Sequence, residues 1–206
     1  EAISGRLVPQ DPNDEPASAL LERLDVEKKA LVANKILKKP ELDAFKLEEQ
    51  PDTIPTGWCY VKLRKICTLL DGEKKRGKYI CMDAKFLRGK SQGVYLESGK
   101  FVKKGENVIL VDGENSGEIF VAPIDGYMGS TFKQLWISQE MYAPYVEYLI
   151  KSFKETLRND KKGAAIPHLK KELFFNLPVG VPPLAEQQRI VAKIEELFAE
   201  IDKLSK

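Results

Sequence analysis

The sequence predicts an α+β chain: a mixed globular domain with a β-rich core, followed by a long C-terminal coiled-coil helix. Three observations lead there. The apolar residues Ile190, Ile194, Leu197, Ile201 and Leu204 recur at spacings of 4, 3, 4 and 3, the seam of a coiled coil. In the middle, NVILV at 107–111 is followed by the turn former DGENSG at 112–117 and another apolar run, the pattern of paired strands. Pro182 and Pro183 divide the two regimes, because proline ends one element and suits the first turn of the next.

In chain order, residues 1–10 read as the frayed end of a helix closed by Gly5 and Pro9, and DPNDEP at 11–16 is turn-rich. Pro16 suits a first helical position. Beyond it Ala17, Leu20, Leu21, Leu24 and Leu31 mark one face of a helix to about residue 33, with Glu22, Arg23, Glu27, Lys28 and Lys29 on the other. Residues 35–55, with Pro40, Pro51 and Pro55, form an extended surface linker. WCYVKLRKICTLL at 58–70 is rich in β-branched and aromatic residues and predicts a strand, or a strand and a short helix. DGEKKRGK at 71–78 reads as a basic turn between Gly72 and Gly77. Strands follow at 107–111, 118–122 and 134–138, a helix at 141–157, a basic loop at 158–163 and a short helix at 167–174. In the last helix Ile190, Leu197 and Leu204 take the d positions and Gln187, Ile194 and Ile201 the a positions, with Val191 and Phe198 widening the stripe. About 23 residues make a rod of roughly 35 Å. A helix of that length is marginal alone and needs a partner helix.

The 206 residues suit one large or two small domains. No apolar run approaches the length of a membrane span and no signal segment opens the chain. Glu1, rather than Met, stands first, which points to a piece of a longer chain. Cys59, Cys67 and Cys81 are odd in number and lack C-x-x-C spacing, so they read as reduced thiols of a cytoplasmic protein. The net charge of +2 hides a segregation: residues 57–180 hold 21 Lys and Arg against 14 Asp and Glu, and the rest 12 against 17. The middle therefore suits a polyanion.

Catalytic constellations are missing from the sequence. Neither G-x-G-x-x-G nor a P-loop occurs. Asp112, Glu114, Ser116 and Gly117 begin like a calcium loop, but Pro123 takes the place of the bidentate Glu. Asp71, Glu73 and Lys75 fall within one turn, His168 has no nucleophile partner, and no metal or cofactor site is expected. A chain of this kind reads as a binder rather than a catalyst.

LPVGVPPLAEQQRIVAKIEELFAEIDKL at 177–204 resembles the junction of a target-recognition domain with a conserved helical region in the specificity (S) subunits of type I restriction-modification systems. IPTGWCYVKL at 54–63 resembles the start of such a domain, EAISGRLVPQDPNDEP at 1–16 the stretch leaving the preceding conserved helix, and VKKGENVILVDGENSG at 102–117 the family's strand and glycine turn. The resemblance implies a non-catalytic subunit that binds double-stranded DNA and serves methyltransferase (modification) subunits and, in the full complex, a restriction subunit. It implies three parts: residues 1–56, the end of a helical region with a linker; 57–181, the target-recognition domain; and 182–206, a spacer helix. Family members usually carry two recognition domains joined by paired antiparallel helices. This chain has one, so it is either half of a larger subunit or a half-subunit that pairs with a second copy through the coiled coil.

DNA contacts on this reading fall to Lys74, Lys75, Arg76, Lys85, Arg88, Lys90, Asn115, Ser116, Lys133, Arg158, Lys161 and Lys162, cations and small polar groups near predicted loops. The coiled-coil interface falls to Ile190, Ile194, Leu197, Ile201 and Leu204. A second class of function is a coiled-coil protein-interaction adaptor whose basic face is incidental. A third is the recognition module of a fused restriction-methylation enzyme.

Overall fold

The computed structural model describes residues 5–37, 55–158 and 168–204. Helix α1 (Ala17–Ala33) starts directly after Pro16, whose ψ of 147° makes it the extended cap rather than the first helical residue. The ring fixes φ and removes a donor that would be orphaned there anyway. The helix stops where Lys35 takes a φ of 57°. Then come β1 (Cys59–Lys62), a 3₁₀ turn at Leu63–Lys65, β2 (Cys67–Leu70), β3 (Glu73–Met82), α2 (Ala84–Leu87) and β4 (Val94–Val102). The expected strands at 107–111, 118–122 and 134–138 are β5 (Asn107–Leu110), β6 (Ile119–Val121) and, after β7 (Gly126–Met128), β8 (Phe132–Ile137). The helix expected over 141–157 is two, α3 (Ala143–Ser152) and α4 (Lys154–Arg158). The chain ends with α5 (Lys171–Asn176), β9 (Pro178–Val181) and α6 (Leu184–Leu204). No helix among the described residues is long and apolar enough to cross a membrane.

One expected turn is corrected at this level. Residues 71–78 are not a turn: all but the first two lie in the ten-residue strand β3. The compact units of the chain are Glu1–Ile66 with Ile137–Leu149 and Phe175–Lys206, and Cys67–Trp136 with Ile150–Phe174.

The first unit explains that division. β1 pairs antiparallel with β9, Cys59 opposite Val181 and Lys62 opposite Pro178, so the start of the expected domain is laced to its end. The Trp58 indole donates to a carboxylate oxygen of buried Glu186 at 2.9 Å, and the Tyr145 hydroxyl donates to the Gly180 carbonyl at 2.9 Å. Gln187, expected as the polar position of the coiled-coil seam, is instead fully buried. Its amide accepts from Tyr142 N–H at 2.9 Å and donates to the Pro182 carbonyl at 3.0 Å, which answers the rule that buried polar groups must be paired. Lys28, expected on the charged outer face of α1, is also buried and donates to the Arg64 and Lys65 carbonyls at 2.6 and 2.9 Å.

The second unit holds a four-stranded sheet, order β2-β8-β5-β6, and a closed three-stranded barrel of β3, β4 and β7. Met82, Val102, Val108, Leu110, Ala122, Met128 and Phe132 form a buried cluster there.

Candidate nucleic-acid interface

β3 and β4 make the longest antiparallel ladder among the described residues, from Glu73 opposite Phe101 to Cys81 opposite Val94. The third strand touches only its ends: β7 pairs with Cys81 and Met82 of β3 and with Phe101 and Val102 of β4. Between those ends lies a two-stranded ribbon, marginal by itself in water. Tyr127 braces it. Its hydroxyl lies 2.6 Å from the Gly77 carbonyl and 3.1 Å from that of Lys75. Its ring packs edge-on to Tyr79, with centroids 5.3 Å apart, and Tyr79 in turn lies 5.0 Å from Phe101. Gly99 lets this happen, because a Cβ there would stand 2.6 Å from the Tyr127 ring. The register slips between Arg76 and Tyr79, where Gly77 takes a φ of 136°, the extra residue of a bulge.

The bracing explains why DGEKKRGK is strand despite its composition. Alternation assigns Lys75 to the aromatic side, where its ammonium lies 3.8 Å from the Phe101 centroid and 4.9 Å from that of Tyr79. Lys74 and Arg76 take the other face, opposite Lys100 and Ser98. Lys74, Lys75, Arg76, Ser98, Gly99 and Lys100 line one open depression of about 350 Å³. Among the described residues neither Lys74 nor Arg76 has an acidic partner, whereas Lys100 lies 3.5 Å from Asp71. Like charges directly opposite one another in a ladder destabilise it. An arrangement that keeps them suits an anion supplied from outside.

The remaining expected contacts scatter. Lys85 and Lys90 are exposed in and after α2. Arg88 is paired with Glu118, and Lys133 with Asp71, whose carboxyl that bond holds below the usual range. Asn115 is exposed, whereas Ser116 is only 2% accessible. Buried in the turn, its N–H donates to the Gly113 carbonyl at 3.0 Å. Arg158 ends α4, and its side chain lies outside the described residues, as do Lys161 and Lys162. Sequence reasoning missed Lys100 and Lys78. Only a predicted ladder between 73–82 and 94–102 would have found them, and reading 71–78 as a turn hid it.

The coiled-coil stripe divides as well. Ile190 is 1% accessible within the chain itself, Ile194 and Leu197 are half-buried, and Ile201 and Leu204 are exposed, Leu204 at 89%. Phe198, also exposed, leans on Tyr148 with centroids 6.3 Å apart. The part of the stripe open to a partner is therefore its C-terminal half. No nucleophile emerges from the cysteines, since burial pushes the Cys59 and Cys81 thiols up, with Asp83 adding to the effect at Cys81. His168 is exposed, and its Nδ1 lies 2.7 Å from an Asp112 carboxylate oxygen.

The family model described as type I restriction modification DNA specificity domain matches residues 55–206. The specificity subunit of type I restriction enzyme EcoEI from Escherichia coli is 30% identical over 232 residues, covering 98% of this chain and 38% of that protein. The EcoAI specificity subunit of the same species is 29% identical over 228 residues, again 98% of this chain and 38% of that protein. The chain thus spans well under half the length of these relatives. The HsdS subunit from Thermoanaerobacter tengcongensis shares the fold, with a TM-score of 0.55 at 18% identity, over 91% of this chain and 46% of that one.

Proposed function

Because this chain belongs to the type I restriction-modification DNA specificity family, we propose that it is a non-catalytic recognition chain that binds one half of a bipartite target in double-stranded DNA. The observation that carries this reading is the β3–β4 face with Lys74, Arg76 and Lys100 together, two of them without an acidic partner among the described residues. Phosphates would complete the missing charge, and groups near them would read base edges. In the same reading the chain works in the cytoplasm and holds methyltransferase subunits in place, a restriction subunit joining in the full complex. The open half of the α6 stripe pairs with a second recognition half or a second copy.

A salt titration tests it. With a labelled duplex of random sequence, log K falls linearly with log salt, with a slope of about −0.9 for each phosphate contact. The variant Lys74→Ala/Arg76→Ala/Lys100→Ala loses about 2–3 of those contacts from the slope. The alternative, a coiled-coil adaptor with an incidental basic face, requires that the native chain not bind duplex even at low salt.

A further inference from the structure

The ribbon carries a second feature that phosphate binding leaves unused. Val94 and Tyr95 open β4 at 67% and 59% accessibility, with Leu96 next to them. Three consecutive apolar side chains on a strand normally face a core on at least one side, yet here the segment before Phe101 pairs with β3 alone. Lys78, two residues beyond Arg76, holds its ammonium 5.3 Å from the Tyr95 ring centroid. The basic row of β3 therefore runs from the depression up to the exposed ring.

We infer that Tyr95, with Val94 beside it, is a specificity-determining contact, resting on the recognition reading above. The β3–β4 ribbon enters the major groove of duplex DNA, Tyr95 meets base edges there, and Lys74, Arg76 and Lys100 hold the flanking phosphates. The dimensions agree, since a two-stranded ribbon fits a groove about 12 Å wide. So does the chemistry. A phenol offers an apolar ring to a thymine methyl and a hydroxyl to a donor or acceptor on a base edge. Charge favours DNA over an apolar protein partner: residues 73–80 and 94–101 carry five Lys and Arg against Glu73 and Glu97, and a protein interface core is depleted in charge.

Selection of bound sequences from a randomised duplex pool tests the inference with the chain itself. The native chain enriches a consensus. Tyr95→Ala and Val94→Asn each lose preference at one or two of its positions by about 10-fold, within the range of a lost base contact, while affinity for random duplex at low salt stays within about 2-fold. Lys74→Ala lowers affinity and leaves the consensus intact. An unchanged consensus in both Tyr95→Ala and Val94→Asn overturns the inference, and so does loss of methyltransferase-subunit binding with the consensus intact, which would make the patch a protein interface. Should Tyr95→Ala unfold, Tyr95→Leu keeps the apolar area and is expected to alter the consensus in its place. If the native chain enriches nothing, the recognition reading itself falls.

Discussion

Lys74 stands directly across the β3–β4 ladder from Lys100, and Asp71 pairs with Lys100 and Lys133 rather than with Lys74. A binding role and a stability role predict opposite results for the same substitution. Lys74→Ala weakens binding to any duplex and reduces the salt slope by about 1. Because it removes a like-charge pair, it also raises unfolding stability by about 0.2–1 kcal/mol. Anisotropy titration and urea unfolding of one variant measure both signs.

Gly99→Ala strikes the brace of the ribbon. The new Cβ stands 2.6 Å from the Tyr127 ring, which is fully buried and cannot yield cheaply, so overpacking costs about 1–3 kcal/mol. Tyr127→Phe keeps the ring and removes the hydroxyl near the Lys75 and Gly77 carbonyls, at about 1 kcal/mol. Hydrogen exchange separates the two: Tyr127→Phe speeds exchange in residues 73–80 selectively, and Gly99→Ala lowers the unfolding midpoint of the chain.

Glu186 gives a pH dependence. Its Oε2 accepts from Trp58, while its buried Oε1 has no partner among the described residues. Burial pushes this carboxyl above its usual range, against the Trp58 hydrogen bond. The folded chain therefore holds the proton more tightly than the unfolded chain. This contribution to stability is complete below the ordinary glutamate range and is lost as pH rises through the raised value. Glu186→Gln, uncharged and still an acceptor for Trp58, has a higher Tm than the native chain at pH 7–8, and the difference closes near pH 4. Trp58→Phe leaves the carboxylate without its donor and costs about 1–3 kcal/mol. Calorimetry across pH checks both.

Ile201→Asp and Leu204→Asp address the helix. Both side chains are exposed, so the chain keeps its own Tm within about 1–2 °C, surface changes being worth about 0.5 kcal/mol at most. Pairing through α6 is lost, read as mass by light scattering or as failure to join the second recognition half. Ile190→Asp unfolds the chain instead, because Ile190 is part of its own core.

What the sequence made legible follows from where the signal was local. Pro16 and Pro183 mark the starts of α1 and α6, and NVILV marks β5, because proline chemistry and apolar runs act within a few residues. The ribbon was hidden because its strand character comes from Tyr127, about 50 residues away, and from partners in β4. Nothing within EKKRGK itself favours a strand. Gln187 and Lys28 were misplaced for the same reason: their partners, Tyr142, Arg64 and Lys65, lie far along the chain. Of the candidate contacts, Lys74, Lys75 and Arg76 come together with the unforeseen Lys100, whereas Ser116 lies under the surface.

The most direct measurement exchanges residues 57–181 for the matching segment of a relative with a different target. The exchange keeps β1 and β9 together, since both strands of that pair lie inside it. Cells carrying the intact system are then sequenced for methylated positions. If this chain chooses the DNA, one half of the methylated motif changes to that of the relative and the other half stays. An unchanged motif in a system that still methylates would contradict the recognition reading.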